Sequence, residues 1–352
     1  MFATASLHRT EPCTAKAPPK GSRFGGLLPF CSLMFATLVL TAPPAALAQR
    51  HVSLVSTPLP EPAELPDAFT WVGGLALSSD DRRLGGVSGL GAGLVPAATA
   101  DGIRILAVTD NGDLLRGDLL FETGSGLRVT GFRDDRLTIE RLLDAQTGLP
   151  ARQAESLAVW EERLAFGFEE RHRVGVMREG TRISNLPVPT ALRGLARNSK
   201  GVEALATLPD SRLLAIAEGV EREGGLRAWI YEGEPDDWPI LVYEWDQVFA
   251  PTGADVTPDG RFLVISERKF VSMREPLSNR LMVVPIEDIA AGNRLQPQAI
   301  LDLDPLLGPV ANVESVAVMA TSDPGEFLVF VATDNNFIGL LPTMIAVLLW
   351  RP

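Results

Sequence analysis

Cysteine, histidine and tyrosine are scarce in this chain of 352 residues, which carries 2 Cys, 3 His and 2 Tyr. Both cysteines, Cys13 and Cys31, lie in an N-terminal stretch with the features of a cleaved leader. Without them, the mature protein has no disulfide, no thiol nucleophile and no sulfur ligand for a metal. His51 and His172 are the histidines left, and we interpret His172 as a solvated loop residue rather than a catalytic base.

Basic residues are also in deficit, with 32 Lys and Arg against 44 Asp and Glu, a net charge of −12. Removing residues 1–48 takes away four basic residues and one acidic residue, which brings the charge to −15. Nucleic acids and anionic membranes both favour clustered Lys and Arg, so this balance argues against them as partners. It is compatible with the binding of cations.

The N-terminal 48 residues are predicted to be a signal peptide. Lys20 and Arg23 precede an apolar run over residues 25–40, and Ala46-Leu47-Ala48 supplies the small residues of a cleavage site. The run is too short for a spanning helix, so we expect a periplasmic or secreted protein with no membrane contact after cleavage. Residues 49–68 contain four prolines and are predicted to be a leading arm, followed by one domain over residues 69–352.

Residues 201–219 show the repeating unit of that domain. An apolar strand, a Pro209-Asp210-Ser211 turn and a second apolar strand predict a β-hairpin. Glu203 and Glu218 lie at the strand ends away from the turn. Because hairpin strands are antiparallel, we expect these two carboxylates side by side at the open end.

Similar hairpins recur along the chain and predict an all-β fold, a β-propeller with blades of about 40–50 residues. The five legible units begin near Gly85, Ala154, Gly201, Gly253 and Asn312. An arginine and a glutamate recur every 49 residues, as Arg163 with Glu169, Arg212 with Glu218, and Arg261 with Glu267. A strand over residues 344–350 and an N-terminal strand near Trp71 are predicted to share the last blade and close the ring. A sixth blade is left open.

Acidic residues recur at the hairpin ends and are predicted to converge on one mouth of the central channel. First strands contribute Glu155, Glu203, Asp255 and Glu314, and second strands contribute Asp110, Glu169, Glu218, Glu267 and Asp334. Ser88 takes the first-strand position in the first repeat. Converging carboxylates raise one another's pKa unless a cation intervenes, and oxygen ligands alone suit Ca²⁺, with Mg²⁺ or Mn²⁺ as alternatives. For each acid alone, the alternative is an ion pair with an arginine of a blade or the capping of backbone amides.

Three basic residues, Arg171, Arg268 and Lys269, follow these acids and are candidates to hold an anionic group. Surface ion pairs are the alternative interpretation for each of them. If the mouth is catalytic, Glu203 or Glu218 is predicted to act as general base, with Arg268 and Lys269 steadying the substrate.

Several short motifs resemble the family known as esterase-like activity of phytase. They are Gly85-Gly86-Val87-Ser88-Gly89-Leu90, Glu155-Ser156-Leu157-Ala158, Gly201-Val202-Glu203-Ala204-Leu205-Ala206, Ser266-Glu267-Arg268, Asn312-Val313-Glu314-Ser315 and Thr333-Asp334-Asn335-Asn336-Phe337. The resemblance spans about residues 85–350. It implies an exported bacterial propeller that hydrolyses phosphoesters or esters, similar in fold to the calcium-dependent β-propeller phytases.

The sequence therefore predicts a monomeric, divalent-cation-dependent hydrolase of a small anionic substrate. Two other functions stay open. The first is a non-catalytic module that binds an unknown ligand and uses calcium as a structural staple. The second is a metal-dependent lactonase, which rests on fold analogy.

Overall fold

Five β-sheets form the computed structural model of this chain, which describes residues 52–92, 102–124, 126–193, 201–233, 238–269, 275–337 and 341–352. The strands are β1 (Val55–Pro58), β2 (Phe69–Ser78), β3 (Val87–Ala92), β4 (Gly102–Thr109), β5 (Asp113–Glu122), β6 (Arg128–Arg141), β7 (Leu143–Asp144), β8 (Ala154–Trp160), β9 (Arg163–Phe168), β10 (Arg173–Met177), β11 (Arg182–Asn185), β12 (Val202–Thr207), β13 (Leu213–Arg222), β14 (Gly225–Tyr231), β15 (Ile240–Glu244), β16 (Ala250–Val256), β17 (Phe262–Lys269), β18 (Ser278–Pro285), β19 (Arg294–Leu295), β20 (Gln298–Asp302), β21 (Val313–Ala320), β22 (Phe327–Thr333) and β23 (Thr343–Trp350). Two helical turns, α1 (Thr190–Arg193) and α2 (Asp304–Leu307), are the described α-helices. The predicted signal peptide, with Cys13 and Cys31, lies outside the described residues.

Each sheet is one blade of a propeller. From the inner strand outward, blade 1 is β3-β4-β5-β6, blade 2 is β8-β9-β10-β11-β7, blade 3 is β12-β13-β14-β15-β19, blade 4 is β16-β17-β18-β20 and blade 5 is β21-β22-β23-β2-β1. The inner strands contact one another in the order β3, β8, β12, β16 and β21, and β21 contacts β3 again. The described chain therefore closes as a five-bladed ring, which confirms the propeller and decides between five and six blades.

N- and C-terminal strands close the ring in blade 5, as predicted. β2 pairs antiparallel with β23 from Phe69 opposite Trp350 to Leu77 opposite Thr343. The rings of Phe69 and Trp350 stack with their centroids 6.1 Å apart. Because the first and last strands of the domain are hydrogen-bonded in one sheet, the ring cannot open without breaking that pairing.

The predicted leading arm is partly wrong, because β1 lies inside residues 49–68. β1 pairs antiparallel with β2 on the outer edge of blade 5, with Val55 opposite Ser78. An edge strand tolerates the proline at its end, Pro58, since the missing N–H is on a strand with a free side. Residues 59–68, with the other three prolines, connect β1 to β2 and contain no strand.

Apolar side chains fill the gaps between neighbouring blades. In β13, Leu214 and Ile216 pack toward blade 4, while Leu213, Ala215 and Ala217 pack toward blade 2. Five such clusters exist, one between each adjacent pair of blades. Because both faces of a second strand are buried against neighbouring blades, its sequence is a continuous apolar run rather than an alternation of apolar and polar residues. None of the described helices is long and apolar enough to cross a membrane.

Candidate functional site: an acidic cup on the propeller axis

All five inner strands carry a β-bulge at the same position. Opposite β13, for example, Val202 pairs with Ala217 and Ala204 with Ile216, which leaves Glu203 unpaired. The unpaired residues of blades 1 to 5 are Ser88, Glu155, Glu203, Thr252 and Glu314. Bulges bend the strand and redirect side chains, so the repeat aims one residue per blade at the same end of the axis.

A second position accompanies each bulge, directly after the residue that pairs with the one preceding the bulge. It is occupied by Asp110, Glu169, Glu218, Arg268 and Asp334 in blades 1 to 5. Seven carboxylates, one arginine, one serine and one threonine thus occupy the ten positions. The structure brings together seven of the nine predicted acids and leaves out Asp255 and Glu267.

One additional turn residue in blade 4 explains why the predicted alignment failed there. In blade 3 the turn closes with a 2.8 Å bond from Leu208 N–H to Arg212 O, enclosing residues 209–211. In blade 4 the equivalent 2.8 Å bond runs from Thr257 N–H to Phe262 O and encloses residues 258–261. The equal spacing of the arginines concealed this insertion. Arg268, not Glu267, is therefore the counterpart of Glu218.

Glu267 is held between strands, away from the other acids. Its Oε1 accepts a 2.6 Å bond from the Tyr243 hydroxyl, and its Oε2 accepts a 2.6 Å bond from Arg280 Nε. Arg280 also pairs with Asp246 at 2.9 Å. Burial raises the pKa of Glu267, while Tyr243 and Arg280 oppose that shift. Its predicted role as a metal ligand is replaced by a structural one.

Asp255 joins two inner strands. Its Oδ2 accepts a 2.8 Å bond from the N–H of Val318 in blade 5, and its Oδ1 accepts the N–H of Val256. Burial raises the pKa of Asp255 to about 6, against the effect of these two N–H groups. Thr252 occupies the bulge in its place, and its hydroxyl donates to Val313 O at 2.9 Å.

Small residues close the channel below the acids. The residue after each bulge is Gly89, Ser156, Ala204, Gly253 or Ser315. A Cβ on Gly89 would lie 2.6 Å from Leu157 N, and one on Gly253 would lie 2.8 Å from Ser315 Cα. The space between the strands at this level does not hold a water molecule. The channel along the axis is thus closed at this level. The eight charged residues at the bulge end of the channel are called the acidic cup: Asp110, Glu155, Glu169, Glu203, Glu218, Arg268, Glu314 and Asp334.

Glu155 has the most perturbed carboxyl group of the cup. Burial, followed by the charges of Glu169, Asp110 and Asp334, raises its pKa to about 8, although a hydrogen bond with the Ser88 hydroxyl opposes the shift. Its carboxyl group is therefore protonated at neutral pH. A carboxylic acid of this kind is able to donate a proton.

Asp110 and Asp334 complete this part of the cup. Burial raises the pKa of Asp110 to about 6, assisted by the charge of Asp113. Burial and the charge of Asp110 raise the pKa of Asp334 to about 6, although Arg268 and the N–H groups of Asn336 and Gly86 oppose this. Both aspartates are ionised at neutral pH and able to accept a proton near it.

Arg268 compensates the charge on the other side of the cup. Its guanidinium donates to Glu314 and, at 2.7 Å, to Asn312 Oδ1, and its Nη2 lies 3.6 Å from Glu218 Oε1. Its side chain is 12% exposed. Lys269 at the end of β17 faces the opposite way, since consecutive strand residues alternate. The two basic residues predicted to act together are therefore separated.

Phe337 and Gly86, which the sequence did not single out as site residues, cover part of the cup. A Cβ on Gly86, whose φ is +62°, would collide with Asp110 Oδ1 and with the Phe337 ring. The buried Oδ1 of Asp110 has no hydrogen-bond partner in the described chain. Phe337 is 39% exposed and has a φ of +51°, unusual for an aromatic residue. Residues in such sparsely populated backbone regions cluster at functional sites in proteins.

His172 is buried rather than solvated, with 6% of its surface exposed. A Cβ on Gly201 would lie 3.1 Å from its Nδ1, so the imidazole packs against the start of blade 3. His172 lies in the turn between β9 and β10, as predicted, so its burial corrects only the prediction that it is solvated.

The cup matches a hard divalent cation in ligand type but does not present a finished coordination sphere. All its acidic ligands are oxygens, and Asp110 Oδ1 is a buried acceptor without a partner in the described chain. Within the described residues, no three Asp, Glu, His or Cys side chains are arranged to hold a metal ion. Binding of Ca²⁺ by Asp110 and Asp334 would thus require these side chains to move.

The motifs around the cup coincide with a known protein family. The family described as phytase-like, esterase-like activity of phytase, matches residues 82–337. The chain belongs to this family. The match runs from just before the first bulge to Phe337, so it includes every residue of the acidic cup. A search of curated proteins finds no match.

Solved structures similar to this phytase-like protein are distant in sequence. The PQQ-bound aldose sugar dehydrogenase of Streptomyces coelicolor is 15% identical with a TM-score of 0.37, covering 84% of this chain and 98% of that one. Myxococcus xanthus glutaminyl cyclase is 13% identical with a TM-score of 0.43, covering 81% and 97%. The Podospora anserina α-L-arabinofuranosidase, in complex with cellotriose, is 12% identical with a TM-score of 0.46, covering 77% and 93%.

Proposed function

We propose that the acidic cup of this phytase-like propeller hydrolyses phosphoesters or carboxyl esters with the help of a divalent cation, for which Ca²⁺ is the first candidate. The observation that carries the proposal is the pairing of a carboxyl group of pKa about 8, Glu155, with aspartates of pKa about 6. Neighbouring carboxyl groups whose pKa values are pushed apart are suited to opposite roles in acid–base catalysis.

In the proposed reaction, Asp110 or Asp334 accepts a proton from a water molecule whose oxygen forms a bond to the phosphorus or carbonyl carbon. Glu155 donates its proton to the leaving oxygen as the ester bond breaks, which gives an alcohol and a phosphate or carboxylate. General acid–base catalysis of this kind contributes about 10²–10⁴-fold to a rate. The sequence placed the base at Glu203 or Glu218, and this proposal instead uses the aspartates, whose pKa is raised to about 6.

A bound Ca²⁺ would polarise the scissile group and offset the negative charge of the cup. Asp110 and Asp334 are the residues that would hold it, which leaves the protonated Glu155 as the acid. Arg268 is engaged by Glu314, Asn312 and Glu218, so we assign it to positioning these acids rather than to binding substrate. Lys269 has no part in this proposal.

The test is hydrolysis by the mature protein, residues 49–352, of phosphomonoesters, phosphodiesters, carboxyl esters and lactones, with Ca²⁺ and with chelator. We expect turnover of an ester substrate that falls with chelator. Glu155→Gln should lower kcat by about 100-fold or more, since glutamine keeps the shape but has no transferable proton. Glu267→Gln is the matched control, because Glu267 lies outside the cup.

Three outcomes would reject the proposal. Turnover unaffected by Glu155→Gln removes the acid from the mechanism. Hydrolysis of lactones alone supports the lactonase alternative. A melting temperature that rises with Ca²⁺ in a protein without turnover supports a binding module.

A further inference from the structure

A second, polar pocket lies on blade 2 beside the cup. It occupies about 340 Å³ between the loop that precedes β8 and the turn that follows β9. Its lining includes Arg152, Arg171 and Arg173, together with Asn185 and the carboxylates of Asp144, Glu169 and Glu170. Glu169 is also a cup residue, so the pocket and the cup share a wall. A volume of this size suits a small molecule.

The three arginines lack the ion pairs that other arginines of this acidic protein form. Arg141 pairs with Asp113 at 2.7 Å and Arg280 with Glu267 at 2.6 Å. Within the described residues, no carboxylate lies within ion-pairing distance of Arg152, Arg171 or Arg173. Their guanidinium N–H groups are therefore free of carboxylate partners and available to an anionic ligand.

Arg173 is held in place by neutral groups. Its Nε donates to Asn185 Oδ1 at 3.1 Å, its Nη1 donates to Arg171 O at 3.1 Å, and its guanidinium lies 3.7 Å over the Phe168 ring centroid. Burial lowers its pKa, Asp144 opposes this, and the charge of Arg171 lowers it further. Its Nη2 has no acceptor in the described chain and is available to a ligand.

Asp144, which also lines the pocket, does not compensate these charges. Its Oδ1 accepts the N–H groups of Gln146 and Thr147 at 3.0 and 2.8 Å, and its Oδ2 accepts Asn185 Nδ2 at 3.4 Å. Its negative charge is therefore used by its own loop and by Asn185, which helps orient Arg173.

We propose that this pocket binds the oxyanion group, phosphate or carboxylate, of a small molecule, through the guanidinium groups of Arg152, Arg171 and Arg173. Planar guanidinium groups bind such oxygens with paired, charge-assisted hydrogen bonds. The proposal does not depend on hydrolysis in the cup. The shared wall at Glu169 would place such an anion next to the cup.

The test is isothermal titration of the mature protein with inorganic phosphate and, separately, with acetate, at constant ionic strength set by NaCl. We expect one saturable site for at least one of the two anions. Arg152→Ala with Arg171→Ala should weaken binding roughly 10-fold for each arginine removed. Both side chains are exposed, so the double variant is expected to fold, which circular dichroism checks. Arg182→Ala, at an exposed site on β11 of the same blade, is the matched control.

Tighter binding of phosphate or of acetate identifies the anion class, and either supports the pocket. No saturable binding of either anion, or equal weakening in Arg182→Ala, overturns it. Glu155→Gln separates the two proposals, because it should abolish hydrolysis while leaving anion affinity unchanged. Loss of anion binding in that variant would place the anion in the cup and reject the pocket.

Discussion

The two sides of the acidic cup are built from equivalent positions of the blades but differ in how their charge is balanced. On one side, burial raises the pKa of Asp110 and Asp334 to about 6 and that of Glu155 to about 8, and the charge of Asp110 adds to the shifts of the other two. On the other side, Arg268 pairs with Glu314 and lies 3.6 Å from Glu218. We call these the carboxylate side and the arginine side.

A single basic residue at one of ten equivalent positions creates this difference. The arginine side is stabilised by an ion pair whose partners are both largely buried, so its acids are held in place. The carboxylate side keeps unfavourable like-charge contacts. Such contacts are costly to the fold and are typical of sites that transfer protons or bind cations.

Breaking the arginine side should have the largest effect on stability. Arg268→Ala leaves the buried Glu314 without its ion-pair partner and should lower the free energy of unfolding by about 3 kcal/mol at pH 7, as for other broken buried pairs. Urea denaturation measures it. The double variant Arg268→Gln with Glu314→Gln removes both charges and should recover part of the loss. Equal stability of the wild type and Arg268→Ala would show that the pair is solvated.

The second-largest expected effect is the rise in melting temperature on adding Ca²⁺, which should depend on the carboxylate side and not on the arginine side. A ligand at 100 times its Kd adds about 2.7 kcal/mol to stability. We expect Ca²⁺ to raise the melting temperature of the wild type and of Glu218→Gln, but not of Asp110→Asn with Asp334→Asn. Scanning calorimetry with and without chelator measures this. A calcium shift that survives the aspartate changes would place the ion elsewhere.

Burial and the like-charge contacts of the carboxylate side should also make the free energy of unfolding depend on pH. Between the unfolded pKa of 4.5 and the folded pKa of about 8, the folded state keeps a proton on Glu155 that the unfolded state releases. The free energy of unfolding therefore falls as pH rises through this window. Glu155→Gln should be more stable than the wild type at pH 8, by ~2 kcal/mol, and no more stable below pH 4.5. Denaturation at the two pH values tests the sign.

The smallest expected effect on stability is that of changing Glu267, which lies outside the cup. The sequence pattern treats it like Glu218, but it bonds Tyr243 and Arg280 outside the cup. Glu267→Gln should lower stability by about 1 kcal/mol through the weakened bond to Arg280, with calcium affinity unchanged. If Ca²⁺ no longer raises the melting temperature of this variant, Glu267 belongs to the calcium site after all.

Much of the fold was legible in the sequence because the hairpins are local. The Pro209-Asp210-Ser211 turn forms as predicted, with Ser211 in the left-handed region at φ +67°. Register was less predictable. One additional turn residue before Phe262 shifts every following position of blade 4 by one. The spacing of residues along the chain does not show whether such an additional residue lies in the turn or in a strand.

The pKa values of the cup and the anion pocket were beyond sequence reasoning for a related reason. Arg152 and Arg173 are 21 positions apart and join one pocket only because the loop before β8 meets the turn after β9. Likewise, Phe337 covers Asp110 across the join between blades 5 and 1. Burial and charge depend on such distant neighbours.

By itself, the sequence determined that this is a propeller of the phytase-like family with acids at the hairpin ends, because strands, turns and motifs are short-range features. Only the tertiary structure decided which acids meet. Five bulges in register bring Glu155 and Glu203 to the axis, and the longer turn in blade 4 replaces an acid with Arg268. Pairing across a closed ring fixes these positions, and the electrostatics of the cup follow from them.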